Sequence, residues 1–331
     1  MPDRANQKAA FLVAAGWGDA PRTLVAGDAS NRKYERLTAP GGKTAILMDA
    51  PPAKGEDVGP FITVTAMLQA AQLSAPAIYA QDTEHGFLLI EDLGDDLFAR
   101  VMERAPSLEH PLYDAAVDVL VQLHSAPAPD LPCYDALLMT SRAALAFDWY
   151  QRGVAGKVDT AAKTTFETAF HAALLPLDSA HQVLIQRDYH AENLIWLPSR
   201  TGAERVGLLD YQDAMLGHAA YDLVSIAQDA RRDVSAQTEC RMQDRYIAAT
   251  GIDRAAFLTA YALLGLQRNL RILGVFARLS LAHGKPHYVD LIPRVWGHVQ
   301  TNLRHPDLAN IAPLVMDALP APTETALQNL K

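Results

Sequence analysis

Apolar residues recur at helical spacing over residues 60–73, where Phe61, Val64, Met67 and Leu68 share a face, and this predicts an amphipathic helix. Helices are likewise predicted over residues 5–15, 111–124, 136–152, 160–174, 219–229, 235–249, 254–283 and 288–303. The segment LVAGDASNRKYERLTAPGGKTAILMDAPP reads as three strands separated by two turns, with APGG at 39–42 as a hairpin turn. GFLLIEDLG at 86–94 is a continuous apolar strand closed by acids and a glycine. The first ninety-odd residues therefore form a mostly β lobe with one helix packed on it, and the pattern becomes mainly helical from Asp95 onward. One β-rich island interrupts the helices: HQVLIQRDYHAENLIWL, the turn PSRTGAE, then RVGLLDYQDA. No internal repeat or low-complexity segment is present, and the closing PAPTETALQNLK is predicted to fray.

A length of 331 residues, half of them hydrophobic, predicts two lobes with a sizeable core, cut at residues 1–93 and 94–331. A net charge of −9 argues against a general nucleic-acid binder, which needs a basic surface. Cys133 and Cys240 form no C-x-x-C, which fits a reducing cytoplasm; both are expected to be buried small hydrophobes. MPDRANQK lacks the pattern of a signal peptide. The longest uncharged stretch, Gly59 to Gln81, carries Thr63, Thr65, Gln69, Gln72, Ser74 and Pro76, too polar a set for a lipid-facing helix. The expectation is a cytoplasmic protein whose partner is a small molecule, with no membrane, nucleic acid or obligate protein partner.

Two motif fragments lead nowhere. GGKT at 41–44 ends like a P-loop, but Leu37 stands where the first glycine of that motif belongs. HAE at 190–192 has the H-x-E of zinc deaminases, yet no P-C-x-x-C follows. Serine-hydrolase and dinucleotide-binding signatures are absent from the sequence as well.

Asp188 and Asn193 lie five residues apart on a loop ahead of the strand LIWL, and Asp210 ends the next strand, VGLL. A hairpin between those strands would bring Asn193 and Asp210 together at its open end. Oxygen ligands so placed suit Mg²⁺, which keeps water and phosphate oxygens in the rest of its octahedron. Asp188 is then left to orient an acceptor hydroxyl and take its proton, the arrangement phosphoryl transfer requires. The plainer alternative is that Asp188 and Asn193 cap a turn and Asp210 begins a loop.

The segment RDYHAENLIW…GLLDYQDAMLGHAAYDLVSI resembles the catalytic segment of the aminoglycoside phosphotransferase family, over nearly the whole chain. GDASNRKYERL, LMDAPP and DYQDAMLGHAAYDL are most similar to the anomeric sugar kinases of bacterial cell-wall recycling, which phosphorylate the C1 hydroxyl of N-acetylmuramate and N-acetylglucosamine. The resemblance implies an α+β, two-lobed protein-kinase-like fold, with a small β-rich N-lobe and a larger helical C-lobe, and the use of ATP and Mg²⁺. By position, Asp188 becomes the catalytic base and Asn193 and Asp210 the metal ligands. Asp222 becomes a buried carboxylate pinning the catalytic loop. Ser30, Asn31 and Arg32 fall in the phosphate-covering turn, and the backbone of Glu91 and Leu93 would meet adenine. His190 follows the family's D-x-H pattern and would hold the loop or move a proton. Asp213 would bind sugar hydroxyls or cap the next turn.

The chain departs from the broader kinase pattern. Met48 occupies the place of the third-strand lysine, and residues 60–73 contain no partner glutamate. The nearest supply of a cation for the phosphates is NRKYER, with Arg32 favoured and Arg36 second; the alternative is that both are ordinary solvated charges on a hairpin. The departure keeps a catalytically inactive nucleotide-binding module as an alternative. Between Arg254 and Arg304 seven basic residues face one acid, Asp290, which disfavours a polycationic aminoglycoside. Arg271, with Arg268 and Arg278 near its helical face, is a candidate substrate contact or a partner for acids elsewhere in the lobe. The leading enzymatic alternative is a kinase for another small acceptor, an aminoglycoside or amino alcohol.

Overall fold

The computed structural model describes residues 4–27, 31–180 and 182–331. They pack into two interleaved units, Met1–Leu108 with Glu192–Asp213, and Glu109–Ala191 with Ala214–Lys331. The sequence predicts a single cut after residue 93.

The first unit opens with α1 (Arg4–Ala14), followed by β1 (Arg22–Gly27), β2 (Lys33–Thr38) and β3 (Thr44–Asp49). Helix α2 (Gly59–Ala70) precedes β4 (Ile78–Asp82), β5 (Phe87–Glu91) and α3 (Phe98–Arg104). The strands form one antiparallel sheet in the order β1-β2-β3-β5-β4. Strand alternation divides β3: Ala45 and Leu47 pack with Phe11 and Leu12 of α1, and Ile46 and Met48 take the opposite face. On the α1 face, buried Asp49 is held by Arg4 at 2.5 Å and Lys8 at 3.0 Å. The APGG turn forms as expected, with Ala39 N–H donating to the Lys43 carbonyl at 2.8 Å and both glycines at positive φ. Strand β4 and helix α3 were not foreseen.

The second unit begins with α4 (Glu109–Ser125) and α5 (Ala136–Ala143). One helix was expected over 136–152; instead the chain passes through a π-helical stretch, Ala146–Gln151, into α6 (Arg152–Ala155). Gly274 packs against this break, and a Cβ there would stand 2.3 Å from the Leu145 carbonyl carbon. After α7 (Thr160–Leu174) and β6 (Gln182–Ile185), the chain returns to the first unit as a hairpin of β7 (Leu194–Trp196) and β8 (Val206–Leu208). That hairpin docks by its backbone: Leu208 N–H donates to the Ser74 carbonyl at 2.9 Å, and Trp196 N–H to that of Asp96 at 2.8 Å.

Strand β9 (Met215–His218) then pairs with β6 and leads into α8 (Ala220–Ala227), which is buried on every side. The rest of the unit is α9 (Ala236–Thr250), the long α10 (Arg254–His283), α11 (Ile292–Leu303), α12 (Ala312–Met316) and α13 (Glu324–Gln328). The closing segment does not fray. Leu330 is buried, its carbonyl accepts from Ser280 Oγ at 2.6 Å, and Lys331 pairs with Asp290 at 2.7 Å. Both cysteines are exposed, against expectation. Cys240 lies off the Thr238, Met242, Tyr246 stripe that α9 buries, and Cys133 sits in the irregular segment between α4 and α5. No helix among the described residues is long and apolar enough to cross a membrane.

Candidate active site

In the first unit a cavity of about 660 Å³ opens on the sheet face opposite α1. Ile46, Tyr34 and Arg36 line it from the strands, Phe61 from α2, Glu91 from the end of β5, Leu93 from the segment that follows, and Asn193 and Asp210 from the hairpin end. Its size and apolar walls suit a small organic ligand. The expected adenine contacts, Glu91 and Leu93, are therefore at the cavity. The Glu91 carboxylate is engaged in fixing that segment: it accepts from Arg200 Nη2 at 2.5 Å and from Ala77 N–H at 3.2 Å.

Arg36 points its guanidinium at two carboxylates, Asp92 at 2.7 Å and Asp95 at 2.9 Å, and its hydrogen bonds to Asp95 and Asp92 raise its pKa above the ordinary arginine value. It braces the 92–95 segment. Arg32 and Asn31 stand outside the cavity lining, and Ser30 lies outside the described residues. Arg32 Nε donates to Glu56 Oε2 at 2.8 Å, and Asn31 N–H donates to Glu56 Oε1 at 3.0 Å. Glu56 lies just ahead of α2, before residues 60–73. Met48 is buried, a place where a charged side chain without a partner would be costly.

The open end of the β7–β8 hairpin joins Asn193 and Asp210 as the sequence predicts. Asn193 Nδ2 is 3.5 Å from Asp210 Oδ2, and Leu209 N–H donates to the Asn193 carbonyl at 3.0 Å. Asp210 has φ +57°, a left-handed conformation that costs a non-glycine residue energy and turns its carboxylate to the hairpin end. Gln212 Nε2 donates to Asp210 Oδ1 at 2.8 Å. One carboxylate and one amide oxygen fit a divalent ion that completes its shell with water and phosphate. Helix α2 meets this corner through Tyr211, which stacks on Phe61 at 5.0 Å and shares a 2.7 Å hydrogen bond with Thr65.

In the second unit the loop after β6 carries Asp188. Asp222, fully buried in α8, accepts from Gln186 N–H at 2.6 Å and Arg187 N–H at 2.9 Å, the pinning role the family resemblance implies. Burial pushes its carboxyl up to about 7, against the pull of those amides. Arg187 has φ +73°, so the residue before Asp188 is also held left-handed, and Tyr189 Oη anchors the loop to the Ala116 carbonyl at 2.8 Å. His190 is buried, and that burial lowers its pKa to about 4, leaving a neutral imidazole. Asp188 acts electrostatically on Arg268 and Arg271 of α10 and on Asp222 and His190. Arg271 thus shares the neighbourhood of Asp188, whereas Asp213 is exposed on the turn before β9.

Sequence reasoning missed Glu56, Gln212, Arg200 and Tyr211. Glu56 had a detectable signal, since it and Asp57 are adjacent acids just ahead of α2.

A model of the phosphotransferase enzyme family matches residues 22–259. The chain belongs to that family. This phosphotransferase is 41% identical over 346 aligned residues to the N-acetylmuramate/N-acetylglucosamine kinase of Caulobacter vibrioides, covering 93% of this chain and 95% of that one. It is 33% identical to the kinase of the same name from Pseudomonas aeruginosa, covering 92% and 91%. Among solved structures it resembles the choline kinase LicA of Streptococcus pneumoniae, with TM-score 0.62, 13% identity and coverage of 90% and 99%. A choline/ethanolamine kinase family protein from Mesorhizobium loti gives TM-score 0.62 at 14% identity, with 99% of each chain covered. At such identities these likenesses speak for the fold, which is the kinase-like α+β fold expected from the sequence.

Proposed function

We propose that this phosphotransferase is an ATP- and Mg²⁺-dependent kinase that phosphorylates the anomeric hydroxyl of N-acetylmuramate and N-acetylglucosamine in peptidoglycan recycling. The observation that carries the reading is the pinned loop after β6, where Asp222 holds the Gln186 and Arg187 amides just ahead of Asp188 and Arg187 takes a left-handed turn. The activity named for the 41%-identical relative gives the acceptor. A cytoplasmic location follows from the use of ATP.

In this reading Asp188 accepts a hydrogen bond from the sugar's C1 hydroxyl, orients it and takes its proton as the oxygen bonds to the γ-phosphorus. The bond from that phosphorus to the bridging oxygen of ADP breaks in the same displacement. Asn193 and Asp210 would hold Mg²⁺, which when bound would neutralise charge on the phosphates. Arg32 supplies the cation that Met48 does not, and Glu56 aims it. Glu91 and Leu93 receive adenine by their backbone. His190, neutral and buried, holds the loop, and Asp213 contacts the acceptor's rim.

The test is ADP release with N-acetylglucosamine, its methyl glycoside, N-acetylmuramate, kanamycin and choline. Turnover of the free sugars together with loss of reducing-end reactivity is expected. Methyl glycoside used as fast as the free sugar would move the reaction to another hydroxyl, and turnover of choline or kanamycin alone would overturn the sugar assignment.

A further inference from the structure

Two arginines of α10 are withdrawn from solvent with no carboxylate in ion-pair contact among the described residues. Arg268 is 4% exposed, its Nη1 reaches only the Gln228 carbonyl at 3.5 Å, and its Nε is buried without a hydrogen-bond partner. Arg271, three residues along the same helix, is partly buried beside Tyr221, whose hydroxyl is buried without a hydrogen-bond partner. Acids are not scarce: the chain has 38 against 29 basic residues. Other arginines of this unit find theirs, Arg241 with Asp114 at 2.5 Å, Arg245 with Asp118 at 2.7 Å and Arg294 with Asp233 at 2.5 Å.

A guanidinium removed from water without a counter-ion is costly, so its retention points to an anion that arrives from outside. The neighbouring acids limit where that anion can sit. Asp188 and Asp229 act on Arg268 through space. Asp229 Oδ1 accepts from Arg231 N–H at 2.8 Å, and its Oδ2 is buried without a partner, suited to a hydroxyl donor. An anionic group is repelled by both acids and drawn to the arginines, while hydroxyls are drawn to the acids. This combination matches a polyhydroxylated ligand carrying one negative group.

We propose that Arg268 and Arg271 form a carboxylate-receiving subsite that takes the acid group of an N-acetylated sugar acid such as N-acetylmuramate, making the acid-bearing sugar the preferred acceptor over its neutral analogue. The proposal rests on the kinase reading above. A guanidinium meets a planar carboxylate through two parallel N–H donors, which fixes the sugar's orientation as well as adding affinity.

The test compares kcat/KM of the wild-type protein for N-acetylmuramate, its methyl ester and N-acetylglucosamine, then repeats it with Arg268→Gln and Arg271→Gln. Esterification removes the charge without altering the protein, so the first arm does not depend on any variant folding. The acid should be preferred over both neutral sugars by about 10- to 100-fold in wild type, and the ratio should fall towards one in both variants. A wild-type ratio near one, or one unchanged in both variants, overturns the subsite. ADP release from none of the three sugars overturns the kinase reading itself, a separate result.

Discussion

Removing Glu56 should impair the use of ATP through Arg32, and the size of the effect can be worked from their contact. The two side chains are 11% and 13% exposed, and a 2.8 Å charge-assisted hydrogen bond joins them. The same carboxylate holds Asn31 N–H at 3.0 Å, so it fixes the end of the turn as well as the cation. An exposed ion pair contributes at most about 1 kcal/mol, whereas a hydrogen bond to a charged group contributes about 1.5–3 kcal/mol. This partly covered pair lies between, so a coupling of about 1–2 kcal/mol is expected, or roughly 5- to 30-fold in a rate ratio. The assay is a double-mutant cycle on kcat/KM for ATP at saturating sugar. Arg32→Ala should lower it by about 100-fold and Glu56→Gln by about 10-fold, with the double variant close to Arg32→Ala alone. If the double variant shows the product of the two losses, Glu56 does not act through Arg32. Wild-type kinetics in Arg32→Ala would remove the phosphate role altogether.

Asp188→Ala should lower kcat by roughly 10²- to 10⁴-fold with unchanged circular dichroism, and a folded variant at wild-type rate would rule out the general base. Asp222→Ala leaves one buried and one partly buried amide without an acceptor, so denaturant melts should show a loss of about 2–6 kcal/mol. Because Asp222 has its pKa raised to about 7, the folded state holds more protons than the unfolded chain between about pH 4 and that value. Its contribution is therefore complete at low pH and is lost as pH rises through 7. The stability advantage of wild type over Asp222→Asn should shrink between pH 5 and pH 8, and an advantage that grows would show the two amide bonds outweighing burial. Gly274→Ala puts a methyl 2.3 Å from the Leu145 backbone and should cost about 1–3 kcal/mol or more, read as a lowered Tm.

Where side-chain period and turn chemistry act locally, the sequence was a good guide. The helices at 160–174 and 254–283 match observed bounds because Asp159 and Asp253 cap their first turns and apolar stripes run their length. Asn193 and Asp210 could be paired in advance because a hairpin imposes its register. The features that escaped depend on contacts made by distant segments. The break after Ala143 reflects the approach of Gly274, more than a hundred residues later in the chain. The left-handed residues Arg187 and Asp210 carry no glycine to betray them; tertiary bonds hold them there. Strand β4 alternates between partial and full exposure, a weak pattern for an edge strand. Leu330 is buried because the last residues pack back on α10, which a polar tail sequence does not announce.

The interleaving of the two units has a consequence for how the protein is made. The sheet and its helices are synthesised by residue 108, but the hairpin that satisfies the Ser74 and Asp96 carbonyls emerges only with residues 194–208. During translation the N-terminal lobe must wait for some ninety more residues before those carbonyls are covered, an interval in which unpaired backbone groups invite mispairing. A nascent chain stalled near residue 150 should therefore be protease-sensitive around Ser74 and Asp96, and one stalled far enough past residue 213 for the hairpin to clear the ribosome should not. For the same reason an expression fragment ending at residue 108 should be a poor substitute for the lobe, while a fusion carrying 192–213 after a short linker should restore it.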